Sequence, residues 1–489
     1  MSDTLSTAWQ YLCDPLRQTP WHAWRGFWFG QILDDRFVVV WFLPLVAILL
    51  LLPRQRLRVG IVATGLVFLA FVFGALYAAF WLLICVALYR LGEWYAGAHA
   101  RDGTTGGRAA RVALAAVLLT YIGTQLLQHV PLPEHWNEWL ATYVPWVFPL
   151  GARRLAWDPS FSAFRTRATN GTVPLFGALF YNAHNIGTAY LLVRMWHYFS
   201  ELRRDTIPSA RRTLLNFLAY VCYAPALIQG PLERFATFQD ELDTSGARRG
   251  WSNVPPAAAR IAWGVTKSVI ATLYFLPILW FQLGIGHSNV YYRHPEQIAS
   301  TWLLYGGVFL HIFWLYLEFS GYCDVSAGIA RLLGYRQIEN FRMPWLATSL
   351  RDFWHRWHIS LSFILRDYVY IPLGGSRRGG MVRNMCITFA LCGAWHPMMF
   401  KGAAWGLVMG LFVAINHYWA DWMKRLDARP SGRLPAIRRA CLRLQPLPRI
   451  CAWLLTQHAF LFTVLIFAGG LAAIRVPWEL LRRLWAGLH

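Results

Sequence analysis

Read for hydrophobicity alone, the chain alternates long apolar runs with short polar breaks. Stretches such as "FVVVWFLPLVAILLLL", "VALAAVLLTYIGTQLL" and "LLTQHAFLFTVLIFAGGLAAI" approach the roughly 20 apolar residues an α-helix needs to cross a bilayer. Set against basic or Pro/Gly breaks, the runs predict spans near 37–53, 59–75, 76–92, 109–129, 137–150, 173–198, 212–232, 260–284, 300–318, 382–398, 401–420 and 452–474. Several are short or interrupted, so the expected total is about 11 transmembrane helices. The run from 59 to 92 exceeds one bilayer thickness and reads as two helices or one long tilted one. The pattern predicts an all-α, polytopic membrane protein, a single membrane domain over 1–489 with no soluble domain of useful size.

Between about 318 and 400 the rhythm changes: polar and aromatic residues crowd a stretch that is neither a clean span nor a solvated loop. On a continuous helix, Trp354, Trp357, Leu361, Ile364 and Tyr368 form one apolar stripe, and Arg351, His358 and Ser362 share another face. Asp352 and Arg356, four residues apart, are placed to pair. If that pair is buried, loss of one partner costs about 3–5 kcal/mol. His355 and His358 lack an acidic third ligand at a metal-site spacing, and HExxH is absent, so no metal centre is expected. Ionisable groups at membrane depth are expensive and tend to mark a substrate path. Downstream, His396 closes the apolar run "CITFALCGAWH" beside Gly393 and Ala394, small residues that admit another helix or a ligand. A neutral imidazole there can take a proton from a hydroxyl.

Composition supports the membrane reading: 56% of the 489 residues are hydrophobic and 14% charged. The net charge of +22 would suggest nucleic acid in a soluble protein, but the arginines sit mostly in short breaks between apolar runs, as topogenic charge does. The clearest case, 424–449, carries eight basic residues against one acidic residue and is expected on the cytoplasmic side. The 27 tryptophans cluster near span ends, as interfacial anchors do. Eight cysteines are scattered singly, which indicates neither a disulfide framework nor a zinc site. The first 36 residues lack the order of a cleavable signal, so no processing is expected. GxSxG, Walker and GxGxxG patterns are missing, which leaves histidine as the centre of any chemistry. A transporter or flippase with a charged conduit is the competing class; it should show paired halves with internal symmetry, and the sequence shows none.

The stretches "EFSGYCDVSAGIARLLG", "IENFRMPW", "SLRDFWHRWHISLSFILRDYVYIPLGGSRRG" and "MVRNMCITFALCGAWH", in that order, resemble the membrane-bound O-acyltransferase family. The likeness is to its bacterial branch of alginate O-acetylation and teichoic-acid D-alanylation proteins. "YAPALIQGPLERFATFQDEL", 223–242, is similar to the Gly-Pro segment that precedes the family's core, and the resemblance covers roughly 175–420. It implies a ring-like helix bundle around a central tunnel, His396 at the position of the family's catalytic histidine and His358 at that of its second motif histidine. His355 replaces a residue commonly Arg or Asn, so no role is carried onto it. Pro397 stands where Gly is usual, and Asn182, His184 and Asn185 lie in a segment that matches only loosely, which leaves the acceptor open. The resemblance further implies transfer of a short acyl group from a thioester donor, acyl-CoA or acyl carrier protein, to a hydroxyl-bearing acceptor such as an envelope or secreted polysaccharide. It implies a multi-pass protein of the cell inner or cytoplasmic membrane, in contact with the lipid bilayer, commonly with a periplasmic partner acyltransferase. No bound cofactor and no nucleic acid enter that chemistry.

Overall fold

The structure, a computed structural model, describes residues 43–73, 75–102, 115, 186–227, 229–275, 278–284, 290–377, 380–394, 399–429, 432–444 and 446–487. Among the described residues every regular element is helical. The principal helices are α1 (Leu43–Leu51), α2 (Leu57–Phe73), α3 (Ala75–Asp102), α4 (Ile186–Arg203), α5 (Leu214–Val221), α6 (Phe235–Arg248), α7 (Val254–Ile270) and α8 (Thr301–Leu332). They are followed by α9 (Leu350–Trp354), α10 (Ile359–Leu365), α11 (Met381–Ala394), α12 (Met399–Asp427), α13 (Arg433–Arg443), α14 (Leu447–Gly469) and α15 (Arg475–Ala486).

The helices sort into two compact units. One takes the chain to Ser268 and returns for Gly321–Ile338; the other takes Val269–Ser320 and Glu339 onward. The first unit is centred on aromatic rings: Tyr198, Phe217, Tyr220, Phe235 and Phe238 are each at most 2% exposed. Their rings meet edge to face, as ring quadrupoles prefer, with Tyr198 5.0 Å from Phe235 and Tyr220 5.7 Å from Phe238. Two polar side chains placed among them, Arg194 and His197, are tied down, because unsatisfied polarity in a dry interior costs several kcal/mol. Arg194 of α4 donates to the carbonyls of Tyr220 and Ala226 at 3.0 and 2.8 Å, and His197 Nε2 accepts the Phe235 backbone N–H at 2.8 Å. The end of α8 is bound into this unit by Asp324, whose Oδ1 accepts from Arg260 at 2.9 Å and whose Oδ2 accepts from Lys267 at 2.6 Å, both donors on α7.

Among the described residues four helices are long and apolar enough to cross a membrane: Ala78–Gly97, Thr301–Leu332, Lys401–Asp427 and Leu447–Gly469, with Met381–Ala394 a shorter apolar helix. Residue 115 apart, the expected spans at 109–129 and 137–150 lie outside the described residues, as does the start of 173–198. The run from 59 to 92 is two helices, α2 and α3. Two expectations need correction. The stretch 212–232 is no spanning helix, because α5 ends after eight residues and the chain turns through Ala224–Ala226, where Pro225 lacks the N–H a continuing helix would use. Conversely, the span expected at 300–318 continues to Leu332. At 32 residues α8 is about 48 Å long, well beyond the roughly 30 Å hydrocarbon core.

Candidate active site

The polar stretch around His358 is not one helix. Ser349 caps α9, its Oγ accepting the Asp352 N–H at 3.1 Å, but α9 stops at Trp354 and α10 starts only at Ile359. Between them His358 adopts φ 45° and ψ 53°, the left-handed region that costs a residue with a Cβ about 1–2 kcal/mol. The cause lies upstream: Ile359 N–H donates to the Asn340 carbonyl at 3.0 Å and Arg342 N–H to the Arg356 carbonyl at 2.9 Å. The strap 340–342 thus takes backbone bonds that a continuous helix would have kept. Arg351 and His358 therefore do not share a face: Arg351 is exposed, while His358 is 6% exposed. The apolar stripe does hold, with Trp357, Leu361, Ile364 and Tyr368 buried and Trp354 half-buried. Trp357 stacks on Phe353 at 5.7 Å and meets Phe341 edge-on at 5.2 Å.

The imidazole of His358 is fixed by Asn340. Three donors converge on Asn340 Oδ1: the Ser360 backbone N–H at 3.2 Å, the Ser360 hydroxyl at 2.9 Å and His358 Nδ1 at 3.1 Å. A backbone N–H only donates, so the atom it meets is the amide oxygen, and His358 Nδ1 must carry the hydrogen facing it. Nε2 is then the nitrogen whose protonation can change. Phe319 sets its ring perpendicular to the imidazole at 4.8 Å, restricting ring rotation from another side. Asn340 is 1% exposed and was not among the residues the sequence singled out; between Glu339 and Arg342 in "IENFRMPW" its amide carries no distinctive local signal.

The other candidates divide. His355 is exposed and stands apart from the Asn340–His358–Ser360 cluster. Asp352 and Arg356 pair as expected, Nε to Oδ1 at 2.8 Å, but their side chains are 36% and 34% exposed, so the premise of burial fails and the pair is worth well under the expected 3–5 kcal/mol. His396 and Pro397 lie outside the described residues, as do Asn182, His184 and Asn185. The helices flanking residues 395–398 are described, and they are locked together without side chains. A Cβ on Gly393 would lie 1.8 Å from the Gly402 carbonyl oxygen, and one on Gly402 would lie 2.1 Å from the Gly393 oxygen. Gly406 and Gly410 continue the same row of α12 against the backbone of α11. The small residues beside His396 therefore admit a helix, through the small-residue contact familiar between membrane helices. The row Gly402, Gly406, Gly410 was legible in the sequence as glycines one turn apart.

In the first unit, the 223–242 segment turns through Ala224–Ala226 and then enters α6 at Phe235, and buried bonds hold it. The Tyr220 hydroxyl donates to the Glu233 carbonyl at 2.8 Å, and Glu233 Oε1 accepts the Ile338 N–H at 2.9 Å. Burial pushes the Glu233 carboxyl up to about 8, against the opposing pull of that N–H and of Arg194, so it holds its proton at neutral pH.

Comparison with known proteins adds the following. The model of the membrane-bound O-acyltransferase family matches residues 157–462, more than half of the chain. A probable alginate O-acetylase of Pseudomonas putida is 32% identical over 233 residues, 47% of this chain and 45% of that protein. A peptidoglycan O-acetyltransferase of Helicobacter pylori is 28% identical over 248 residues, 50% of this chain and 41% of that protein. A teichoic acid D-alanyltransferase of Bacillus subtilis is 23% identical over 301 residues, 58% and 68% of the two chains. The chain spans less than half the length of the alginate O-acetylases it matches.

Proposed function

The chain belongs to the membrane-bound O-acyltransferase family, and from that premise we propose that it transfers a short acyl group from a thioester to a hydroxyl of an envelope or secreted acceptor such as a polysaccharide. The observation that carries this reading is the His358 imidazole, buried and held in one tautomer by Asn340 within the matched region. An alcohol is a poor nucleophile at neutral pH and needs a positioned base. His396 takes the proton from the acceptor hydroxyl as its oxygen forms a bond to the thioester carbonyl carbon. The tetrahedral adduct then collapses with cleavage of the C–S bond, and the departing thiolate recovers the proton from the His396 imidazolium. His358, with Nδ1 committed to Asn340, acts through Nε2 to orient the thioester and to donate to its oxyanion when protonated. Each cycle yields one ester and one thiol and calls for no bound cofactor.

The protein is a multi-pass membrane protein. We place it in the inner or cytoplasmic membrane, with residues 1–489 acting as one membrane domain. A cytoplasmic acyl-CoA or acyl carrier protein serves as donor, and a periplasmic acyltransferase completes the decoration. The test is transfer of a labelled acyl group in membranes matched for protein level. His396→Ala should lower the rate about 10²–10⁴-fold while leaving membrane insertion intact. Wild-type turnover by that variant would sink the base assignment. Normal transfer by the double His358→Ala/His396→Ala variant would remove the histidine-centred mechanism altogether.

A further inference from the structure

Helix α13 is tethered at both ends to helices apolar enough to span the membrane, α12 through residues 428–432 and α14 through residues 444–446. Phe412 stacks on Phe462 across α12 and α14, so the two form a hairpin with α13 at its open end. Five extended residues reach about 18 Å at most, which keeps α13 at the membrane surface. Its sequence, "RLPAIRRACLR", is basic and amphipathic. Leu434, Ile437 and, just past its end, Leu444 follow at helical steps on one side and are 55%, 52% and 60% exposed. Leu447 and Ile450, at the start of α14, are likewise 55% and 46% exposed. Nothing among the described residues covers them.

The charge states what kind of surface lies opposite. From 424 to 449 the chain carries eight basic residues and a single acidic one, Asp427. Asp427 is already neutralised by Arg438, whose Nη2 donates to its Oδ2 at 2.8 Å. What remains is basic charge beside an uncovered apolar row, the combination that seats a helix at an anionic bilayer surface. We propose that α13 lies in the plane of the membrane, with Leu434, Ile437 and Leu444 set into the acyl boundary and the net positive charge of the 424–449 segment drawn to anionic phospholipid headgroups. The basic loop would then anchor the α12–α14 hairpin to its leaflet as well as orient it.

The test uses the full chain in proteoliposomes, with an environment-sensitive fluorophore on Ile437→Cys in a background with Cys441 and Cys451 replaced by Ser. One set of vesicles is phosphatidylcholine alone, the other contains phosphatidylglycerol. In the anionic vesicles the label should be blue-shifted, quenched by lipid carrying a nitroxide near the headgroup, and shielded several-fold from an aqueous quencher. The shielding should weaken in phosphatidylcholine, in high salt and in the Arg433→Gln/Arg439→Gln/Arg443→Gln variant. Equal and full access of the aqueous quencher in both vesicles would overturn the proposal. So would a label that stays water-exposed in anionic vesicles and becomes shielded only when an acidic acyl carrier protein is added, because the occupant would then be a protein. A label at exposed Leu407, on membrane-spanning α12, reports correct folding in every sample.

Discussion

At His358 the backbone and the side chain make separable demands. The left-handed backbone disfavours any residue with a Cβ except the few, Asn among them, that tolerate it through local hydrogen bonding. His358→Ala should therefore lose transfer and modestly reduce the amount of folded protein, because the bond to Asn340 is lost while the left-handed backbone costs alanine about what it costs histidine. His358→Asn should keep the fold and still lose transfer. Normal acyl transfer by His358→Asn at matched protein level would show that the imidazole is structural. Asn340 can be tested through its effect on the ring. Asn340→Leu removes the acceptor and should slow transfer on the order of 10–100-fold, the usual consequence of losing a group that orients a functional histidine. Asn340→Asp keeps an acceptor but adds negative charge, favours the imidazolium, and should extend activity to higher pH. An unchanged pH–rate profile in Asn340→Asp would refute that coupling. The histidine itself was legible from its motif. Its conformation was not, because the bonds that break the helix come from Asn340 and Arg342, well upstream, and leave no trace in the local periodicity.

Among the elements, the α11–α12 hairpin is the tightest contact described, and it flanks the four residues that include His396. Because Gly393 and Gly402 meet backbone to backbone, a larger residue cannot be accommodated by a change of rotamer. Gly402→Val should force the helices apart at about 1–3 kcal/mol of overpacking, lowering the thermal midpoint and transfer together. Leu411→Val, on an exposed face of α12, should do neither. Equal stability of the two variants would mean that the glycine contact is not limiting. The Asp352–Arg356 pair gives the opposite expectation. Its exposure limits it to about 0.3–0.5 kcal/mol, so Asp352→Ala should leave folded protein near wild-type amounts. Abolished transfer at normal abundance would instead assign Asp352 to the chemistry. Helices with continuous apolar sequence, such as α12 and α14, were readable as elements, since the bilayer demands the length that the sequence displays, although α12 runs seven residues past the expected end and α14 lies five residues earlier than expected. The end of α5 was marked by Pro225, whereas the continuation of α8 through 318–332 was not legible, because the partners of its Asp324, Arg260 and Lys267, come from α7, far away in sequence.

For the whole molecule, the chain order of the two units matters as much as their packing. Each is assembled from segments that are not contiguous, and the first is complete only with Gly321–Ile338. That late segment supplies Asp324 to Arg260 and Lys267, and the Ile338 N–H to Glu233. A chain ending at residue 300 would leave two basic groups and a buried carboxyl without these partners and should be protease-sensitive in membranes; one ending at residue 345 should resist. Equal resistance of the two would contradict the assignment. On the ribosome, then, the first unit waits: its helices enter the bilayer early but cannot close until α8 has emerged, and the histidines follow only afterwards. Translation order would in this way keep the segment that carries His358 and His396 from reaching the membrane before the scaffold is ready to be sealed.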